Sequence, residues 1–187
     1  MLNERDLQCL ERALERIENI EKLCQKCGGV MKALNNTLET QPAIMMHLSV
    51  ISEQFEKLRK RNENEILKKI SPDSINNIKK SRNIASHDYD SLVFEVVERV
   101  IHKDLSKIKT EINNVLSQSK TQNLQETLHK ELKYYTEHKN SFYEDAKMKQ
   151  EKLILQIYKE LIDKGGQIDE KSLKIIETIQ KSHSRGI

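Results

Sequence analysis

Ten residues near the middle of the chain, 81–90, hold the side chains best suited to chemistry: Ser-Arg-Asn-Ile-Ala-Ser-His-Asp-Tyr-Asp. Arg82 is a fixed cation whose guanidinium can hold a phosphate through two parallel hydrogen bonds. The segment also contains His87, and histidine is the residue type whose ordinary pKa suits proton transfer near neutral pH. With Asn83 and Tyr89 beside them, these residues could supply the minimum chemistry for cleaving RNA without a metal.

Helical geometry limits how one such segment could act. On an unbroken α-helix Tyr89 would share a face with Arg82, whereas His87 would be rotated away from Arg82 by roughly 140°. Either the helix is distorted at its end, or a second subunit supplies the missing partner across a two-fold interface. The simpler interpretation is a helix C-terminus with basic residues facing the dipole and Tyr89 packing over it.

The composition of the chain indicates its fold class and its compartment. The 187 residues include only 5 Gly and 2 Pro, and 33% of them are charged, which predicts an almost wholly helical protein of one domain, or one domain plus an appendage. The net charge of +3 is too small to indicate nucleic-acid binding by itself. No apolar run is long enough to span a membrane, the N-terminus is too polar for a signal peptide, and three cysteines suit a reducing compartment. We therefore expect a soluble cytoplasmic protein.

Apolar spacing and capping residues predict the helices of the first part of the chain. A first helix is expected to begin at the N-cap Asn3 and to end at Gly28-Gly29. Pro42 suits the first turn of a second long helix, and Ser71-Pro72-Asp73 is a start signal for a third. A broad apolar face over 93–115 marks the fourth. Helices of this length joined by short loops predict an all-α, up-and-down bundle.

The remaining chain predicts further helices. Residues 117–123 have the composition of a linker or frayed turn. Beyond them we expect one long helix, or two helices broken near 137–140, and then a short final helix capped by Asp169. The sequence therefore predicts a helical bundle over 1–117 and a C-terminal helical extension over 118–187.

The segment that contains Arg82 resembles a known motif. Arg82, four intervening residues, His87, one residue and then Tyr89 resemble the RX4HXY motif of the HepT-like branch of the HEPN superfamily. Arg82-Asn83 resembles the usual Arg-Asn pair of that family, and 85–89 resembles its Ala-His-Asp-Tyr type of sequence.

The flanking sequence extends the resemblance to about residues 1–117. Ala43-Ile44, His47-Leu48 and Ile51-Ser52-Glu53 resemble the family's second-helix pattern, and 103–112 resembles its closing helix. Two departures stand out. Ser52 occupies a position where the family often has glycine, and 118–187 has no recognised counterpart.

The resemblance implies a HEPN-like bundle that dimerises with the motif at its interface. It implies a metal-independent endoribonuclease, often a toxin, that needs no cofactor. Its substrate would be tRNA or another RNA. In this family His87 would be the general acid or base, Arg82 would stabilise charge on the phosphate, and Asn83 would orient a neighbour or hold the helix end. The usual partner is an MNT-type nucleotidyltransferase antitoxin, which would transfer AMP to Tyr89.

Three other assignments stay open. Glu53, near the apolar stripe of the second helix, could pair with or position Arg82, or it could be a boundary glutamate that faces solvent. The chain could instead be a non-catalytic HEPN subunit that docks a nucleotidyltransferase. Residues 118–187 could be an interaction arm.

Three further clusters have both a functional and a structural interpretation. Cys24-Gln25-Lys26-Cys27 is half of a zinc site, but no second pair of ligands follows it, which favours reduced cysteines at a helix end. The aromatic side chains of residues 134–143 lie among lysines and could stack bases, or they could pack in a core. The basic run 57–61 could follow an RNA backbone, or it could be a solvated face.

Overall fold

A computed structural model describes residues 3–61, 64–85 and 92–184. Across these ranges the regular structure is helical throughout, which confirms the predicted all-α class. The chain divides into two compact units, residues 1–116 and 117–187. None of the helices in the described ranges is long and apolar enough to cross a membrane.

The first unit contains most of the helices. They are α1 (Glu4–Lys26), α2 (Val30–Asn35), α3 (Thr40–Lys60), α4 (Asn64–Leu67), α5 (Pro72–Ala85) and α6 (Leu92–Arg99), followed by a π-helical segment (Val100–Leu105) and the beginning of α7 (Ser106–His138). The second unit contains the rest of α7, together with α8 (Glu144–Asp163) and α9 (Glu170–Ser184).

Helix α1 begins and ends where the sequence predicts. The Asn3 side-chain oxygen accepts a hydrogen bond from the Asp6 amide at 3.0 Å, which satisfies one of the free N–H groups of the first turn. At the other end, Gly28 and Gly29 have φ angles of +75° and +136°. The Gly29 amide folds back onto the Cys24 carbonyl at 2.9 Å. Because other residues rarely adopt such φ angles, the glycine pair ends the helix.

The core of the first unit lies between α1, α3, α5, the π-helical segment and the first turns of α7. The apolar stripes of these helices are buried, including Leu10, Ile17, Ile20, Ile44, Leu48, Ile51, Leu58, Ile78, Val100, Leu105, Ile108 and Ile112. Burying one such side chain contributes about 1.5–3 kcal/mol. The predicted second, third and fourth helices are therefore confirmed, and α5 is packed against α3 on one side and the π-helical segment on the other.

The predicted linker at 117–123 is wrong. Helix α7 continues through these residues to His138. The segment is polar but contains neither glycine nor proline, so nothing in it breaks a helix. Its side chains also find partners along the helix, since the Thr121 hydroxyl donates to the Ser117 carbonyl at 3.1 Å and the Gln122 amide donates to Glu126 at 3.3 Å. The boundary between the two units falls inside this helix.

The second unit has its own small core. Its buried side chains are Leu128, Leu132, Tyr135, Ile154, Ile157, Leu161, Ile176 and Ile179. Of the two alternatives expected for this part of the chain, two helices broken near 137–140 is the correct one, because α7 ends at His138 and α8 begins at Glu144. Leu153 of α8 is 41% exposed, whereas its neighbour Ile154 is fully buried.

Helix α9 has the predicted cap. The Asp169 carboxylate accepts hydrogen bonds from the Ser172 hydroxyl at 2.6 Å and the Ser172 amide at 2.9 Å, and these bonds lower the pKa of Asp169. The turn before it includes Gly166, where a Cβ atom would lie 2.1 Å from the buried Leu161 side chain. Helix α9 continues to Ser184, and residues 185–187 lie outside the described residues.

A buried polar network links the three helices of this unit. The Tyr135 hydroxyl donates to one Glu151 carboxylate oxygen at 2.5 Å. The His183 imidazole Nε2 lies 2.9 Å from the other oxygen. Tyr135 and Glu151 are only 7% and 5% exposed. A buried carboxylate is costly unless it is paired, so this network fixes how α8 packs against α7 and α9.

Candidate functional site

Helix α5 carries the first half of the predicted motif. Pro72 is its first residue and Asp73 lies in its first turn, both favourable at a helix N-terminus. The chain just before the helix is tied to α7, since the Ser71 amide donates to Glu111 at 2.9 Å and the Lys107 ammonium donates to the Ser71 hydroxyl at 3.1 Å. The start of α5 is therefore fixed by side chains of a neighbouring helix.

The middle of α5 is joined to α3 by an ion pair. The Lys79 ammonium lies 3.0 Å from a carboxylate oxygen of Glu56, and Arg59 lies 3.5 Å from the same oxygen. The hydrogen bond from Lys79 lowers the pKa of Glu56. These side chains are partly exposed, so the pairs add little stability, but they place cations and a carboxylate along the α3–α5 contact.

A buried polar contact joins α5 to the π-helical segment. The Asn77 amide nitrogen lies 3.3 and 3.4 Å from the two carboxylate oxygens of Asp104. Asp104 is only 4% exposed. Single π-helical turns inside α-helices are rare and are frequently found at functional sites. Neither Asn77 nor Asp104 stands out in the sequence, because isolated polar residues on amphipathic helices are usually exposed.

The residue before Arg82 is anchored in the core. Ser81 is fully buried, and its hydroxyl donates to the Ile78 carbonyl at 2.8 Å. Ile78 is itself fully buried. Arg82 and Asn83 then follow in the last turn of α5, which ends at Ala85.

The other predicted site residues are placed as follows. His87 and Tyr89 lie outside the described residues. Glu53 is an exposed residue of α3, directly after the buried Ser52. The packing of α5 on α3 brings together the two helices that carry Arg82 and Glu53.

The basic run 57–61 has a partly structural role. Arg61 lies 3.0 Å from Asp6, a fully buried carboxylate on α1. This hydrogen bond raises the pKa of Arg61. Since Arg59 also pairs with Glu56, two of the basic side chains in the run are committed to ion pairs within the fold.

His47 is another of the three histidines in the region of resemblance, and its side chain is buried. It is 8% exposed, and burial lowers the pKa of its imidazole, with the nearby positive charge of Arg16 acting in the same direction. Its Nδ1 atom has no hydrogen-bond partner among the described residues. His47 is therefore a neutral core residue near neutral pH.

The cysteine pair is positioned at the end of α1. Cys24 is buried, and burial raises the pKa of its thiol. The Cys27 sulfur contacts the Thr40 hydroxyl at 3.9 Å. Within the described ranges, no three His, Cys, Asp or Glu side chains converge in a way that could hold a metal ion.

Comparison with known proteins gives one family. No curated protein and no solved structure matches the chain. The family model described as ribonuclease HepT-like matches residues 11–115, which is more than half of the chain. The matched range begins in α1, includes α3, α5 and the complete segment 82–89, and ends in α7 just before the boundary between the two units. The chain belongs to the ribonuclease HepT-like family.

Proposed function

We propose that this chain is a metal-independent endoribonuclease and the toxin of a toxin–antitoxin pair. The observation that carries the proposal is the family match over 11–115, because it contains the whole of the Arg82–Tyr89 segment. The anchoring of α5 on three sides supports it, since a catalytic side chain needs a rigid element beneath it. The substrate is tRNA or another RNA.

In the proposed mechanism, the ribose 2′-oxygen attacks the adjacent phosphorus while the bond to the 5′-oxygen breaks. His87 acts as a general base or acid, which typically contributes 10²–10⁴-fold. Arg82 stabilises the charge that builds on the phosphate oxygens. Asn83 orients a neighbour or holds the helix end, and Glu53 supports Arg82. No cofactor or metal takes part.

The active unit in this proposal is a homodimer. Five residues separate Arg82 from His87, so a regular helix would turn the two side chains apart. A two-fold interface solves this by placing the arginine of each segment opposite the histidine of its copy. Mixing inactive Arg82→Ala and His87→Ala chains tests the arrangement, because a heterodimer would then regain one intact composite site. Failure of the mixture to recover any activity would favour a site within one subunit.

The cleavage test uses purified protein with RNA in the presence of EDTA. We expect cleavage by the wild-type chain, products ending in a 2′,3′-cyclic phosphate, and loss of cleavage in Arg82→Ala and His87→Ala. Matched controls come from the same unit: Arg12→Ala removes an exposed arginine of α1, and His102→Ala removes an exposed histidine of the π-helical segment. Both controls should cleave normally. Equal cleavage by wild type and both motif variants would refute the assignment.

The proposed regulator is an MNT-type nucleotidyltransferase that transfers AMP to Tyr89. An AMP group there would add bulk and negative charge, which would exclude an RNA backbone from the site. Intact-mass measurement of the chain co-expressed with its genomic neighbour tests this. We expect an increment of one or more AMP groups that is absent from Tyr89→Phe.

Growth on expression separates the toxin from a non-catalytic docking subunit. Toxicity that disappears with His87→Ala supports the nuclease. Harmless expression together with stable binding of a nucleotidyltransferase would support the docking subunit instead.

A further inference from the structure

The positive charge of the first unit is concentrated in one stretch of its sequence. Residues 53–85 contain 9 lysines and arginines against 5 acidic residues. The rest of the unit, 1–52 and 86–116, contains 10 against 13. The first unit is therefore basic from the second half of α3 to the end of α5 and slightly acidic elsewhere, although its total charge is close to zero.

Three of these cations lie around a single carboxylate at the contact between α3 and α5. One oxygen of Glu56 lies 3.0 Å from the Lys79 ammonium and 3.5 Å from the Arg59 guanidinium. The hydrogen bond from Lys79, and then the charges of the neighbouring cations, lower the pKa of Glu56, and Lys60 is one of those cations. The side chains of Lys79 and Arg59 remain 44% and 53% exposed. One carboxylate cannot neutralise three cations, so positive charge is left at this contact.

Further lysines extend the same surface. Lys57 and Lys60 of α3 are exposed, and so is Lys80 of α5, which directly follows the lysine paired with Glu56. Lysine is rarely buried and its charge attracts anions most strongly where several lysines are close together. We call the following five residues the basic surface: Lys57, Arg59, Lys60, Lys79 and Lys80.

The acidic residues described nearby leave the basic surface positive. Glu53 and Glu56 are the two acids in the same part of α3. Glu65 of α4 lies 2.6 Å from Lys68 and is paired with it. Asp73 lies in the first turn of α5, about 9 Å along the helix axis from the lysines of that helix. Five cations against two carboxylates give the basic surface and its α3 neighbours a net charge of +3.

The basic surface lies next to the beginning of the candidate motif. Arg82 is three positions after Lys79 on α5, which places it about 4.5 Å farther along the helix axis. Positions three apart are neighbours on the surface of an α-helix. An anionic chain that is bound by the lysines of α5 would therefore be close to the helical turn that contains Arg82.

We propose that the basic surface binds the phosphate backbone of the RNA substrate and holds it beside the turn of α5 that contains Arg82. RNA as the ligand rests on the proposed function. Exposed lysines and arginines supply most contacts to nucleic-acid phosphates, and such contacts position the chain without reading its bases.

A protein partner fits this surface less well. Protein interfaces are depleted in lysine and are centred on aromatic and apolar side chains. In the described ranges 53–61 and 64–81, no large apolar side chain is exposed. The surface therefore offers charge without an apolar anchor, which matches a phosphate backbone.

The test measures equilibrium binding of the full chain to a fluorescent, 2′-O-methylated oligouridine of about twelve nucleotides. This probe has no free 2′-hydroxyl, so binding is measured whether or not the chain cleaves RNA. The variant Lys57→Ala/Lys60→Ala/Lys80→Ala removes three exposed charges and leaves the Glu56 ion pairs in place. For single strands log K falls by roughly 0.7 per phosphate contact for each tenfold rise in salt. We therefore expect binding about a hundredfold weaker than wild type at 0.1 M salt, and similar affinities near 1 M.

Two matched triple variants separate local contacts from total charge. Arg12→Ala/Lys22→Ala/Lys26→Ala removes three exposed cations of α1 and lowers the net charge by the same amount, but it should bind nearly as wild type does. Replacing Lys57, Lys60 and Lys80 with arginine keeps the charges and should preserve binding. An oligoadenosine probe should bind as oligouridine does, because phosphate contacts carry no base preference.

Cleavage of unmodified RNA gives a second measurement. Contacts that hold the backbone equally in the ground state and the transition state affect KM and leave kcat unchanged. The Lys57→Ala/Lys60→Ala/Lys80→Ala variant should therefore show a raised KM with a kcat close to wild type.

Two outcomes would overturn the inference. One is equal affinity for the methylated probe in the wild type and in the Lys57→Ala/Lys60→Ala/Lys80→Ala variant, or an equal loss in that variant and in the α1 control. The other is a changed oligomeric state in the same variant with unchanged RNA affinity, which would make the surface a protein interface. Failure of the proposed function would look different, since unmodified RNA would stay intact while the methylated probe still bound through these lysines.

Discussion

Replacing Tyr135 with phenylalanine removes one hydroxyl from the buried network of the second unit. The hydroxyl donates to a Glu151 oxygen at 2.5 Å, and both side chains are more than nine-tenths buried. After the substitution the His183 Nε2 atom still lies 2.9 Å from the other carboxylate oxygen, but it makes no hydrogen bond to a described residue. The buried carboxylate thus loses its hydroxyl donor.

The loss of stability in Tyr135→Phe depends on the negative charge of the Glu151 carboxylate, which accepts the hydrogen bond. Hydrogen bonds to charged groups contribute about 1.5–3 kcal/mol, and a buried acceptor that loses its donor also pays for desolvation. We therefore expect Tyr135→Phe to lower the free energy of unfolding of the second unit by about 2 kcal/mol. If the contact itself is responsible, Glu151→Leu should make the additional Tyr135→Phe change nearly neutral, because the two residues form one coupled pair.

Urea unfolding followed by tyrosine fluorescence measures this effect. The chain has no tryptophan, and four of its five tyrosines lie in residues 118–187, so the signal reports mainly the second unit. Tyr158→Phe is the matched control, since this half-buried tyrosine of α8 makes no hydroxyl hydrogen bond to a described residue. A loss below about 0.5 kcal/mol in Tyr135→Phe, or an equal loss in the control, would refute the reasoning.

Alkaline pH gives an independent measurement of the same contact. Burial, and then the hydrogen bond to Glu151, raise the pKa of Tyr135 far above its usual value. The folded state therefore retains the phenol proton more tightly than the unfolded state does. This contribution to stability is fully present below the unfolded pKa of about 10 and is lost as the pH rises through the folded pKa. Tyr135→Phe should lack that alkaline loss.

Three further outcomes are expected. Burial lowers the pKa of His47, so its contribution to stability is present above the unfolded pKa of about 6.5 and is lost as the pH falls through the folded pKa; urea midpoints at pH 7.5 and 5 should differ less in His47→Leu than in wild type. Gly166→Ala should destabilise the second unit more than Gly165→Ala, because an added Cβ at Gly166 would collide with a buried leucine. The space around Gly165 is open, and only its φ of +72° is unfavourable for alanine, at about 1 kcal/mol. Equal melting temperatures for the two variants would contradict this prediction. Burial raises the pKa of the Cys24 thiol, so Cys24 should react more slowly than the half-buried Cys27 with a thiol reagent, as mass mapping of the modified sites would show.

The sequence predicts the fold class well because the helix signals are strong and local. Asn3, Pro72 and Asp169 each begin a helix or cap one as expected, and Gly28-Gly29 ends α1. The error at 117–123 has a physical cause. A run of polar residues is a linker signal, but a polar segment without glycine or proline stays helical if its side chains form hydrogen bonds along the helix.

Only part of the candidate site can be predicted from the sequence. The Arg82–Tyr89 segment is local in sequence, so spacing and resemblance find it, and the family match covers it. The residues that hold α5 in place were not predicted. Asn77, Lys79 and Ser81 meet partners 27, 23 and 3 positions away. A single sequence does not reveal which helices meet, so pairs such as Asn77 and Asp104 emerge only from the packing.

The Asn77–Asp104 contact limits how far α5 can slide along the neighbouring helices. Apolar stripes alone let a helix slide along its neighbour by one turn, about 5.4 Å, and still bury similar area. Such a slide of α5 would strand a carboxylate that is 4% exposed, away from its amide donor at 3.3 Å. The pair therefore selects one axial register for α5. Two residues that lie outside the motif, Asn77 and Asp104, therefore help to set the axial position of the helix that contains Arg82.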